Sequence, residues 1–144
     1  MTRPLLTVEQ FIEKALAVPF VEKGRGYDGW DCWGLICVAY WDVRGVFLPS
    51  NGDTYSTTHG AEGIRQLGEA VSGNMSAWSP VHGKRCPLDV ALFRIAGRPV
   101  HVGLVVEQNL VLHAEEKVGT FVERLSSPMW ARRLEGVYRH EALR

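Results

Sequence analysis

Near residue 88 of this 144-residue chain the spacing of apolar residues changes period. Before that point apolar side chains recur every three to four positions; after it they recur at every second one. Helices repeat a face every 3.6 residues and strands every two. A chain that does the first and then the second is confined to helices packed on an antiparallel sheet, the α+β class. The helical part opens at Thr7, an N-cap with Gln10 three residues on in a capping-box pattern. Phe11, Ile12, Ala15, Leu16 and Val18 follow at helical spacing, and Pro19 stops the helix. Gly24, Gly26 and Gly29 mark a loop. Asp31 can cap a second helix from Cys32 to about Val43, apolar nearly all round and hence buried on most sides. Residues 49–59 read as loop, 61–71 as a weaker amphipathic helix, and 72–88 as irregular. Strands are predicted at 90–95, 100–106, 110–114, 120–125 and 136–140. No repeat or low-complexity segment divides the chain, so residues 1–144 read as one domain.

Charge and cysteine usage narrow the function. Lys+Arg and Asp+Glu both number 16, so no basic excess points to nucleic acid as a partner. The three cysteines, Cys32, Cys37 and Cys86, lack the spacing of a disulfide framework, and synthesis in a reducing compartment fits. Residues 1–7 carry no apolar signal core, and no apolar run approaches the roughly 18 residues of a membrane span. Cytoplasmic synthesis without a signal peptide is therefore the expectation.

The chemistry centres on Gly29-Trp30-Asp31-Cys32-Trp33-Gly34-Leu35. A thiol in the first turn of a helix faces free N–H groups and the positive end of the dipole, which favour the thiolate nucleophile. Such a nucleophile needs a base, and the base an orienting group. His101 and His113 can supply both. In 100–106 the even positions are apolar, leaving His101 and Gly103 on the other face. In 110–115, Val111, His113 and Glu115 share a face. With Glu107-Gln108-Asn109 as a three-residue loop, Gly103 faces His113 and the histidines are diagonal neighbours. A two-residue loop puts them on opposite faces. The predicted set is Cys32 as nucleophile, His101 as base and His113 as orienter, with the Cys32 N–H meeting the oxyanion. Asp31 reads first as a cap; its charge opposes thiolate formation slightly. Trp30 and Trp33 flank Cys32 and could line a groove. Cys37 reads as core filler and Cys86 as incidental. Cys32, His101 and His113 are also zinc-ligand types, but no Cys-x-x-Cys or His-Glu-x-x-His motif accompanies them, so no metal or cofactor is predicted.

These residues resemble the NlpC family of papain-like cell-wall cysteine peptidases. The matching pieces are Pro19-Phe20, Asp31-Cys32-Trp33-Gly34-Leu35, Pro87-Leu88-Asp89-Val90-Ala91-Leu92-Phe93, His101-Val102-Gly103-Leu104-Val105 and Val111-Leu112-His113-Ala114, in the family's order. The resemblance implies an NlpC-type fold, N-terminal helices on a central antiparallel sheet, with Cys32, His101 and His113 as a catalytic triad. It also implies hydrolysis of an amide in peptidoglycan stem peptides. The form Gly26-Tyr27-Asp28-Gly29-Trp30-Asp31-Cys32 is most similar to the branch encoded near tail genes of phages and gene-transfer agents, which implies tail proteins as partners and a place in the virion. Many members carry a tyrosine near the oxyanion site where this chain has Phe20; Tyr27 is the candidate substitute. Two other readings are a tail component that keeps the fold for binding, and a papain-like amidase or acyltransferase with another substrate.

Overall fold

The structure, a computed structural model, describes residues 3–50, 75–95 and 97–143. The helix expected at 61–71 lies outside the described residues. Helix α1 spans Val8–Ala15, and its capping box is formed: Thr7 and Gln10 each accept the other's backbone N–H. Its buried side, Phe11 and Ala15, packs into the main core. A short hairpin of β1 (Arg25–Gly26) and β2 (Gly29–Trp30) follows where the sequence suggests only loop. Helix α2 spans Cys32–Ala39 and widens into a π-helical turn at Tyr40–Arg44. Gly45 closes it at φ 67°, in the left-handed region that suits glycine.

One six-stranded sheet fills the rest: β3 (Trp78–Pro80), β4 (Val90–Ile95), β5 (Arg98–Glu107), β6 (Leu110–Glu115), β7 (Gly119–Arg124) and β8 (Leu134–His140). The order is β3-β8-β4-β5-β6-β7, and each neighbouring pair is antiparallel. The period-two reading locates β4 to β8 but misses β3 and the short helix α3, Pro128–Arg133, between β7 and β8. Alternation divides the sheet into two apolar layers. Val90, Leu92, Val102, Leu104, Leu112 and Ala114 pack with α1 and α2, while Ala91, Phe93, Val105, Val111 and Val137 pack with Leu125 and Trp130 of the α3 side.

The β5–β6 turn corrects the expected loop. Glu107 pairs with Leu110, so the loop is the two residues Gln108 and Asn109. Taken alone, that register would separate the two histidines. But Val105 already pairs with Val111 and Leu104 with Leu112, so Val106 is an extra residue on β5. This bulge restores the register in which His101 and His113 share a face. A second irregularity flanks His101: Phe93 pairs with His101 and Arg94 with Pro99, leaving Val100 as the additional residue. No helix among the described residues is long and apolar enough to cross a membrane.

Candidate active site

Cys32 is the first residue of α2 because Asp31 ends the preceding extended segment and caps the helix. The Gly34 N–H donates to Asp31 Oδ1 at 2.8 Å. The same carboxylate accepts from the Arg25 guanidinium at 2.9 Å and from the Lys23 backbone N–H at 2.9 Å. Asp31 is completely buried, and these donors satisfy it. It therefore holds the loop and the helix start together, and its place is structural. Gly34 is required here: a Cβ would stand 2.1 Å from the Gly24 carbonyl oxygen.

The Cys32 thiol is buried, with backbone groups of Val102 and Trp33 as hydrogen-bonding neighbours. It thus meets β5 one residue beyond His101. Burial pushes the thiol up to about 12; the Asp31 charge adds to the rise, and the Val102 backbone and Arg25 offset it only in part. The expected lowering by the helix N-terminus is outweighed, because a dipole effect worth about 1 kcal/mol is set against removal of the thiolate from water.

The two imidazoles are joined. His101 Nε2 and His113 Nδ1 lie 2.9 Å apart, both rings buried among Phe93 and Trp130. Gly103 makes room: a Cβ there would be 2.4 Å from Val111 Cγ2 and 3.2 Å from His113 Cβ. Burial, with lesser contributions from His113 and Arg133, pushes His101 down to about 3, and burial pushes His113 down to about 4. Both are neutral near pH 7. Since His113 occupies Nε2 of His101, Nδ1 is the nitrogen left for a thiol proton. Among the described residues no hydrogen bond joins the thiol to His101: Cys32 packs with the Val102 layer and the imidazoles with the Phe93–Trp130 layer. The resting arrangement is a neutral thiol and a neutral imidazole pair.

Other expected site residues lie elsewhere. The Tyr27 hydroxyl donates its hydrogen bond to Asp42 and its ring packs on Phe11 and Trp30, so it does not replace the missing oxyanion donor. Trp30 is a core residue, fully buried; its indole N–H donates to Thr120 Oγ1 at 2.8 Å, and Thr120 donates to the Val18 carbonyl. It lines no groove. Trp33 is half-buried and donates to the Pro49 carbonyl at 2.9 Å. Two features escaped the sequence reading. Asp89, wholly buried, is held by Arg139 through two 2.8 Å bonds and by the Cys86 N–H. Trp130 arrives on α3, for which Ser127-Pro128, a start with Pro at the first helical position, was the available signal. No cluster of three metal-ligating side chains is present among the described residues.

With this geometry in place, residues 17–139 match the NlpC/P60 family. The chain belongs to the NlpC/P60 family. No curated protein matches the sequence. Solved NlpC/P60 structures share the fold. A Staphylococcus aureus protein described as similar to a lipoprotein of the NLP/P60 family superposes with TM-score 0.61 at 22% identity, covering 97% of this chain. This chain spans only 45% of that protein. The NlpC/P60 domain of the peptidoglycan hydrolase SagA gives TM-score 0.56 at 15% identity, covering 92% of this chain and 97% of that domain. The Mycobacterium tuberculosis peptidoglycan hydrolase RipB gives 0.55 at 20% identity, covering 93% and 64%. Mixed helix and antiparallel sheet is thus the architecture common to this NlpC/P60 domain and its neighbours.

Proposed function

We propose that this NlpC/P60 domain is a cysteine peptidase that cleaves an amide bond in peptidoglycan stem peptides. The observation that carries the reading is the 2.9 Å His101–His113 hydrogen bond on the strand against which the Cys32 helix start packs. The SagA and RipB neighbours, described as peptidoglycan hydrolases, supply the substrate class. In the proposed reaction the Cys32 proton passes to His101 Nδ1 as the sulfur bonds to the substrate carbonyl carbon. The oxyanion is met by the Cys32 backbone N–H, a first-turn donor free of intrahelical bonding. His101 then gives its proton to the departing amine; water, deprotonated by His101, attacks the thioester carbonyl, and the proton passes from His101 to the Cys32 sulfur as the acyl group leaves as the acid. Because thiol and imidazole are both neutral at rest, the ion pair forms in the substrate complex rather than before it. Cys32→Ala and His101→Ala each lower release of stem-peptide fragments from purified muropeptides by at least about a thousandfold; cleavage retained in a clean Cys32→Ala preparation would refute the assignment.

A second reading, a binding component that retains the fold, is favoured by one observation, the raised pKa of Cys32. Covalent trapping separates the two: for the peptidase, stem peptide acylates Cys32 and mass spectrometry after an acid quench finds the thioester, whereas for the binding component the Cys32 thiol stays unmodified. We further propose that the protein works from a phage-like tail, a reading that rests on the form of residues 26–35. Mass spectrometry of purified particles tests it, and absence of this chain from tail fractions would overturn it.

A further inference from the structure

The proton in the His101–His113 hydrogen bond has two possible owners, and only one suits a base. If His113 Nδ1 owns it, His101 accepts at Nε2, and its own proton sits on Nδ1, where none can be taken up. If His101 Nε2 owns it, Nδ1 is bare and basic, and His113 must carry its proton on Nε2. That atom is buried and has no hydrogen-bond partner among the described residues. What surrounds the ring is aromatic. Trp130 stands at 86° to it with centroids 4.6 Å apart, Phe121 lies at 4.4 Å, and Phe93 at 6.3 Å. An aromatic face is electron-rich, so it attracts an N–H and repels a bare nitrogen lone pair. A near-perpendicular pair such as His113 and Trp130 lets the edge of one ring meet the face of the other, and Phe121, tilted at 46°, is less well disposed.

We propose that Trp130 is a positioning residue for the reaction: its indole face receives the His113 Nε2–H, which fixes both imidazole tautomers and leaves His101 Nδ1 free to take a proton. This rests on the peptidase reading for its consequence, but the tautomer itself is independent of activity. Trp130 acts through two residues and touches no substrate. Its placement by α3 gives that short helix a role in the site it does not directly line. The charged groups acting on the imidazoles are Glu123 from β7 and Arg133 from α3, and the same two groups act on Glu115 of β6. Arg133 also stacks on the Trp130 ring, 5.4 Å from its centroid.

The test is nitrogen-15 NMR of the histidine-labelled 144-residue chain at pH 7. The wild type is expected to show a proton bonded to Nε2 of both histidines, with the His113 one shifted upfield by the indole ring current. Trp130→Phe keeps an aromatic face and keeps this tautomer. Trp130→Leu moves proton density to His113 Nδ1 and lowers kcat on the order of 10- to 100-fold, with KM within about twofold. A wild-type proton on His113 Nδ1, or an Nε2 proton without an upfield shift, overturns the proposal whether or not any variant folds. So does a Trp130→Leu protein with unchanged tautomers. Absence of stem-peptide cleavage alongside the expected tautomers would instead count against the peptidase reading alone.

Discussion

At the scale of single residues, this NlpC/P60 domain buries groups that ionise readily in water and keeps them neutral. His101 and His113 are held near 3 and 4, against an ordinary histidine value of 6.5. Between those limits the unfolded chain binds protons that the folded chain does not, so stability is fully present above about pH 6.5 and falls as the pH drops toward 4. Each imidazole contributes a slope of about 1.4 kcal/mol per pH unit in that window. Denaturant midpoints measured from pH 7 to 4 are expected to fall steeply, and less steeply in His113→Phe. Equal slopes in the two proteins would contradict the burial of a neutral His113. The residue identities of the candidate triad were legible in the sequence, since a thiol after an N-cap and two histidines on alternating strands are visible as letters. Their protonation was not. It depends on how much water the completed fold excludes, and α3, which covers the imidazoles, was itself not foreseen.

At the scale of elements, register decides whether the histidines meet. The turn after β5 has two residues, which alone would place His101 and His113 on opposite faces; the Val106 bulge reverses that. Sequence periodicity reports which residues alternate, but a bulge adds a residue without leaving a mark in the pattern. Gly103 then lets β5 and β6 carry the imidazole pair without a clash. Gly103→Ala would force its methyl onto Val111 and His113, and a loss of about 1–3 kcal/mol is expected from overpacking. Activity should fall as well, because behind its clash with Val111 the methyl also crowds the His113 Cβ, 3.2 Å away. Chemical denaturation and peptide cleavage measured on the same preparation check this; a variant with wild-type activity would show that the close approach is unimportant. The helix starts were better read. Thr7 and Asp31 cap α1 and α2 as their local sequences require, because capping is settled within four residues.

At the scale of the whole molecule, segments distant in sequence are fastened to one another across the sheet. Arg139 on β8 reaches the buried Asp89 ahead of β4, and Trp30, Thr120 and Val18 join the helical half to β7. Arg139→Met would leave Asp89 with the Cys86 N–H but without its counter-charge, a loss of roughly 3 kcal/mol by urea denaturation. A loss below about 1 kcal/mol would mean that the carboxylate reaches water or another cation. Such long-range pairs join residues 50 to 102 positions apart, and nothing in the local pattern selects one partner over another. The sequence by itself determined the α+β class, the caps of both N-terminal helices, five of the strands and the residues placed as candidate nucleophile, base and orienter. All of these follow from periodicity or from interactions a few residues long. The tertiary structure alone decided the β5–β6 register, the burial of Trp30 away from any groove, the hydrogen bond from the Tyr27 hydroxyl to Asp42 and the neutral resting site. Each of those depends on which distant surfaces exclude water from one another, and that is fixed only when the helices close on the sheet.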